Sequence, residues 1–426
     1  MPKFLMRMKK ICIVTTRHIS YNPRVLKEAD TFFSKGYQVS VVTINNHSHQ
    51  HHFDEELMKT RSWQLQTVNF RKEQKSEKLI WFYLSFKQKI FSLLSKISFR
   101  FGIAERAALK GFDELTSLAQ KENADFYLAH HAEALAVGYK AAMATNAKFG
   151  FDAEDFHTGM NESQTSSHEE KLITFLENRY LPRCNYFTAA SKGIGEAYIE
   201  KYGIKQNNVV LNVFPIEKAA AMRTNTPIRF YWYSQVIGPN RSLETLLQAA
   251  GLVKEDFEIH LRGSFHNNEY EVFLLKLLDE LNLNHKVFFH KPILAENIIS
   301  DATKYDIGLA LESDISTNRN ICVTNKIFSY LMSGLAIIGT DTYGQKDIFS
   351  HFSDAVLMCR KNDIQDLGRA MSYFITHREK LLQAKLAARK AAEGRYNWEF
   401  ESEKLILSFE KTLNPKLKHE SVSDRN

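Results

Sequence analysis

Apolar runs and helix-length amphipathic stretches alternate along most of this chain. KICIVTT (residues 10–16) is a short hydrophobic run, NPRVLKEADTFFSKG a helix-length pattern closed by Gly36, and YQVSVVTI (37–44) a second run. Together they predict a strand, a helix and a strand. The rhythm returns in DFYLAHH (125–131), EALAVGYKAAMATN, KFGFDAE (148–154) and SKGIGEAYIEKYG. Strands that are apolar along their whole length and separated by helices belong to a parallel sheet covered on both faces.

VFPIEKAAAMRTNTPIR (213–229) interrupts this alternation with Pro215, Pro227 and no periodic pattern. A domain boundary is expected there, separating residues 1–215 from 216–395. A second series follows: IRFYWYS, RSLETLLQAAGLV, FEIHLRG, EVFLLKLLDELN, KVFFHKP, AENIISDATKY, DIGLALE, TNKIFSYLMSGLAIIGTD and DAVLMCR. The expected architecture is α/β, two doubly wound domains in tandem. Neither half shows the short fixed period of a solenoid.

Length supports this division, because 426 residues at 44% hydrophobic exceed what one core holds. Cys12, Cys184, Cys322 and Cys359 are scattered, with no CxxC pair, which argues against a zinc site or a disulfide scaffold and for a reducing cytoplasm. A formal charge of +7 is mild, so no nucleic-acid partner is expected. MPKFLMRMKK begins basic, but Thr15 and Thr16 arrive before a signal-peptide core forms, and no run reaches the roughly 20 apolar residues of a membrane span.

The charges become informative in SEKLIWFYLSFKQKIFSLLSKISFRFG (76–102), where Lys78, Lys87, Lys89, Lys96 and Arg100 interleave with Trp81, Phe82, Phe86, Phe91 and Phe99. The segment reads either as a helix lying in a lipid headgroup layer or as a core helix with lysines on its wet side. The expected location is therefore the cytoplasm, free or peripheral at the inner face of the membrane. HSHQHH (47–52) follows a strand into what reads as a loop. Its loose spacing, with no Cys or Asp in the run, defines no metal set, and no metal or cofactor is expected.

Parallel sheets bind ligands beyond the carboxyl ends of their strands. In the second half those positions hold Ser234, Gln235, Arg262, Gly263, Glu312, Ser313, Thr324, Asn325 and Lys326, a set suited to an anionic, hydroxyl-rich ligand. In TNKIFSYLMSGLAIIGTD, Thr324 or Asn325 reads as an N-cap and Gly334 as a left-handed stop. The free N–H groups and dipole of such a helix start attract phosphate, and Lys326 adds a full charge. An ordinary capped helix would carry the same cap residues. Ser329 is the polar side chain well inside it.

In its order of elements, DIGLALESDISTNRNICVTNKIFSYLMSGLAIIGTD resembles the nucleotide-binding region of GT-B glycosyltransferases, especially the large retaining group called family 4. RVLKEADTFFSKGYQVSVVT, DFYLAHHAEALAVGYKAA, KFGFDAEDFH, VVLNVFP, IGPNRSLETLLQAA and YNWEFESEKLILSFEKTL look like further segments of that family in the family's order. The resemblance implies two Rossmann-like domains facing across a cleft, the first on the acceptor side and the second binding the nucleotide-sugar donor. It also implies a terminal helix at 396–414 that crosses back to the first domain, ahead of a polar tail at 415–426. The implied activity is metal-independent, retaining transfer of a sugar from a nucleotide-sugar to a glycan or lipid-linked acceptor, in cell-surface polysaccharide or glycoconjugate assembly.

The resemblance also implies roles. Arg241 and Lys326 would neutralise the departing diphosphate, with Arg262 in reserve because the family's other cation falls at Val236 or Gln235. The carboxylates that the family places on the donor ribose fall at Ile321 and Ser329, and RHISYNPR replaces its glycine-rich loop. Ser329 would face the ribose or bond back to its own helix; if it faces the ribose, Ser329→Glu should tighten donor binding. His130 resembles the family's histidine beside the reacting sugar, with a structural imidazole as the alternative, and His131 should point the other way. Asp152, Glu154, Asp155 and His157 would line the acceptor pocket or cap their loop. Arg24 would touch an acceptor phosphate or form a helix-start salt bridge. Two other readings use the same architecture: a sugar-nucleotide epimerase, and a non-catalytic subunit that has lost donor binding.

Overall fold

Residues 9–160, 167–205, 207–218 and 223–413 are described by the computed structural model. The basic start at 1–8 and the polar tail 415–426 lie outside them. The apolar runs become strands for the reason their composition gives: each side chain meets a helix on one face of the sheet or the other.

In the first unit, β1 (Lys10–Val14), β2 (Gln38–Asn45), β3 (Gln64–Asn69), β4 (Phe126–His130), β5 (Lys148–Ala153), β6 (Tyr186–Ala189) and β7 (Asn208–Val209) form one sheet in the order β3-β2-β1-β4-β5-β6-β7. Every pair is parallel, with Ile11 opposite Val39 on one side and Phe126 on the other. Ile11, Ile13, Val41, Leu128 and Phe151 are fully buried. The order reverses between β1 and β4, so the crevice for a ligand opens at the carboxyl ends of these two strands.

The second unit repeats the plan. β8 (Ile228–Ile237), β9 (Phe257–Phe265), β10 (Val287–His290), β11 (Ile307–Ala310), β12 (Ala336–Thr340) and β13 (Val356–Cys359) run β10-β9-β8-β11-β12-β13, again all parallel. Trp232, Leu246, Ile259, Leu261, Leu309, Ile338 and Met371 share its core. Its reversal lies between β8 and β11.

The chain divides by contacts into Met1–Val210 with Ser402–Asn426, and Leu211–Glu401. The final helix, Trp398–Leu413, therefore starts in one unit and ends in the other. In the second unit the Leu211 N–H donates to Glu401 Oε2 at 2.8 Å, which ties the two chain crossings together. In the first, Phe409 packs its ring 4.8 Å from those of Phe32 and Phe126, and Lys148 Nζ donates to the Thr412 carbonyl at 2.7 Å.

Two sequence expectations change. HSHQHH is not in a loop: His47 precedes a helix, Ser48–Met58, whose buried Asp54 binds His18 Nδ1 at 2.6 Å and the Ser20 N–H at 2.9 Å. One carboxylate thus anchors the polar helix and folds RHISYNPR into its turn after β1. The aromatic and basic segment forms a helix, Lys78–Ser95, that is not a core element: Leu84 is buried, while Leu79, Phe82, Tyr83, Phe86, Ile90 and Leu93 are exposed, as is Ile97 just beyond its end.

Candidate functional site

The carboxyl edge of the first sheet carries a buried network of charges. Asn22 accepts the Val25 N–H and starts the helix Pro23–Ser34, whose next turn aims Arg24 and Glu28 inward. Arg24 donates to both oxygens of Asp152, at 2.7 and 2.6 Å, and to the Val210 carbonyl at 2.7 Å. Thr188 donates to Asp152 at 2.5 Å. His130, at the end of β4, lies between two carboxylates, with Nε2 3.2 Å from Glu28 and Nδ1 3.4 Å from Glu154.

Electrostatics follow from this geometry. Burial alone would push the His130 imidazolium to release its proton, but Glu28 and Glu154 overcome it and raise its pKa to about 10. Burial and the Asp152 charge raise the Glu28 pKa from its ordinary value, against the pull of His130 and Arg24. Asp152 and Glu154 fall below their ordinary values despite burial, Asp152 through Arg24 and Glu154 through His130. His130, Asp152 and Glu154 bring ligand atoms within 4.8 Å of one another, the one such trio among the described residues. Protein groups already engage them: Arg24 and Thr188 take Asp152, and carboxylates face both nitrogens of His130.

This placement corrects three expectations. Arg24 is fully buried and bound within the protein, so the salt-bridge alternative holds and the acceptor-phosphate role does not. Asp152 is its partner and equally buried, so it does not line a pocket. His130, also without exposure and with both nitrogens facing carboxylates, cannot orient an incoming hydroxyl. Glu154, Asp155 and His157 do stay partly exposed at the strand ends. His157 bonds the Tyr198 hydroxyl at 2.9 Å, which in turn donates to buried Glu177 at 2.7 Å; that carboxylate raises the His157 pKa against burial.

In the second unit the corresponding edge centres on the helix Asn325–Ser333, capped by Thr324 and stopped by Gly334 at φ 68°. The Thr324 side chain makes no cap hydrogen bond, and Asn325 is exposed beside it. Lys326, 8% exposed, donates to Glu312 at 3.0 Å and lies 5.6 Å from the Trp232 ring centroid. Glu312 is fixed behind β11 by two backbone hydrogen bonds with the Thr340 hydroxyl, and also accepts from Arg319 at 3.0 Å. These cations hold its pKa below the usual range in spite of burial. Around this start, Ser313 Oγ, Thr324 Oγ1 and Trp232 Nε1 are buried with no hydrogen-bond partner. Such atoms are rare in folded proteins, and each asks for an explanation, a bound water or ion among them.

The remaining donor-side candidates separate. Ser234 and Gln235 form an irregularity in β8, where the register with β9 shifts between Tyr233 and Val236. Gly263 lies against it: a Cβ there would come within 2.7 Å of the Ser234 carbonyl oxygen. Arg241 is half-buried and already engaged. Arg262 is not a reserve cation, since it bonds Asp301 at 2.7 Å, the Tyr231 hydroxyl at 3.1 Å and the Lys291 carbonyl at 2.6 Å, drawn toward β10. Ser329 is fully buried, donates to the Lys326 carbonyl at 2.8 Å and meets the Tyr233 hydroxyl at 2.9 Å. Its hydroxyl is closed, so it does not face a ribose.

Glu28 and Trp232 are site residues that the sequence reading missed. Glu28 carried a signal, lying one helical turn after Arg24 on the same face; Trp232 sits inside an apolar strand and carried none.

No protein-family model matches the chain, and no curated protein matches it by sequence. Solved structures do match by fold. A glycosyltransferase from Rickettsia africae superposes with a TM-score of 0.68 at 14% identity, covering 96% of this chain and 99% of its own. Sucrose-phosphate synthase from Thermosynechococcus elongatus gives 0.67 at 12% identity, covering 96% and 100%. HepE from Anabaena, crystallised in complex with UDP, gives 0.65 at 13% identity, covering 94% and 100%. The chain has the GT-B fold of these proteins.

Proposed function

We propose that the chain is a glycosyltransferase that moves a sugar from a nucleotide-sugar donor to a glycan or lipid-linked acceptor in cell-surface polysaccharide or glycoconjugate assembly. In that reaction the bond from the sugar's anomeric carbon to the diphosphate breaks, a bond to the acceptor oxygen forms, and the acceptor's proton leaves with the nucleoside diphosphate. The start of the helix Asn325–Ser333 carries the reading: a buried lysine and unpartnered hydroxyls meet at a positive helix end. Lys326 and Arg241 would steady the charge that builds on the diphosphate, a role that asks for oriented cations and no metal. Retention at the anomeric carbon belongs to the same proposal and rests on the family resemblance.

The exposed stripe on Lys78–Ser95 supports a place at the cytoplasmic face of a membrane. Leu79, Phe82, Tyr83, Phe86, Ile90 and Leu93 recur at helical spacing, with exposed Lys78 and Lys89 among them and exposed Lys96, Ile97 and Arg100 just beyond the helix end. A helix of this kind lies in the headgroup layer of an anionic bilayer. Among the described residues no helix is long and apolar enough to cross a membrane.

The donor reading is tested by thermal-shift titration with UDP, GDP, ADP, CMP and their sugar conjugates. Saturation at about 100 times the dissociation constant stabilises by roughly 2.7 kcal/mol. A selective shift, lost in Lys326→Ala, is the expected result. Absence of any shift in folded protein favours the second reading, a non-catalytic GT-B subunit, for which the closed hydroxyl of Ser329 is the specific observation.

A further inference from the structure

His131 follows β4 with φ 69° and ψ 149°. This region is populated almost only by glycine and costs another residue about 1–3 kcal/mol. The turn itself needs only backbone, since the His131 carbonyl accepts the Ala134 N–H. A glycine would make it without strain, so the imidazole is what the strain retains.

The imidazole is held in one tautomer. Asn22 accepts the Val25 N–H through Oδ1, which turns its amide nitrogen toward His131, 3.2 Å from Nε2. Nε2 therefore accepts and the ring proton sits on Nδ1. Burial drives the His131 pKa down to about 3, so the ring is a neutral N–H donor across the working range of pH. No described residue takes that proton. The contrast with His130, sealed between carboxylates, is complete although the two are adjacent in sequence. His131 also stands at the reversal between β1 and β4, with its ring 6.4 Å from that of His157.

We infer that His131, oriented by Asn22, binds the oxygen of the acceptor hydroxyl through its Nδ1–H, and that His130 is a buried positioning group behind it. The inference rests on the transferase reading above and names the acceptor's recognition group as a neutral sugar or polyol hydroxyl. A neutral N–H donor suits such an oxygen and offers no full charge to a phosphate.

Two variants test it. His131→Gly relaxes the turn, so its melting temperature should equal or exceed that of the wild type. UDP-glucose, GDP-mannose and ADP-glucose, used as donor probes, should shift both proteins alike. Release of nucleoside diphosphate stimulated by glucose or glycerol should fall about tenfold or more, the loss of one hydrogen bond to the reacting oxygen. Asn22→Asp keeps the oxygen that caps the helix but replaces the amide donor with an acceptor. It should raise the KM for glucose or glycerol with the donor shift unchanged, and move the His131 proton to Nε2 in the nitrogen NMR spectrum. Wild-type acceptor-stimulated release in His131→Gly overturns the inference and leaves the transferase reading standing. A folded wild type that neither binds nor turns over any of the donor probes overturns both.

Discussion

The carboxyl edges of the two sheets are built from similar residues and differ in how their polar atoms are satisfied. At the first, Arg24, Asp152, His130, Glu28 and Glu154 engage one another; Glu28 Oε1, the atom of this group without a hydrogen bond, still lies 3.4 Å from Arg24 Nε. At the second, Lys326 and Glu312 are paired, but Ser313, Thr324 and Trp232 around them keep buried polar atoms without partners. The difference separates two ways of preparing a site. A network completed within the protein is a rigid base that presents a partly exposed member such as Glu154. A set of incomplete hydrogen bonds leaves polar atoms for a partner from outside the chain, which is what the proposed donor site requires.

Removing one cation from each edge gives the largest test of this contrast. Arg24→Ala leaves Asp152 buried and uncompensated, which should lower unfolding free energy by about 3–5 kcal/mol in urea titrations. Lys326→Ala leaves Glu312 with Arg319, so its loss of stability should be only about 1 kcal/mol. Equal losses would erase the distinction.

A pH series sharpens it next. The folded pKa of His130, about 10, lies above the ordinary value near 6.5. Its stabilisation is therefore complete below about pH 6.5 and is lost as pH rises through the folded value, at up to about 1.4 kcal/mol per pH unit. Urea midpoints measured from pH 7 to 10 should fall along this slope, and His130→Gln should flatten it.

Smaller effects follow. Ser329→Ala leaves the Tyr233 hydroxyl short of a partner and should cost about 1 kcal/mol, with nucleotide affinity unchanged. Ser329→Glu should likewise destabilise the helix and not tighten donor binding, the reverse of what a ribose-facing residue would do. Phe86→Glu, on the exposed stripe, should change stability by less than about 0.5 kcal/mol. Its effect should appear in sedimentation with phosphatidylglycerol vesicles, where the wild type binds and the variant does not.

Much of the fold could be read from the chain, because strands buried on both faces keep continuous apolar runs. KICIV, DFYLAHH and KFGFDAE therefore stood out as β1, β4 and β5. β3, QLQTVN, escaped notice because it is a half-exposed edge strand with polar residues, and Ser48–Met58 because its anchor is one buried aspartate paired with His18. The site was harder to read than the fold. Positions after strands were recognisable, but whether Arg24, Arg262 or Ser329 is open to a ligand depends on partners that local pattern does not reveal: Asp152 lies 128 positions from Arg24, and Tyr233 lies 96 from Ser329.

The final helix sets an order of events during synthesis. Leu211–Glu401 is one uninterrupted stretch and can close its core as soon as it clears the ribosome. The first unit begins emerging earlier yet must wait for Phe409, whose ring packs beside Phe32 and Phe126, so the half of the molecule made first is the half finished last.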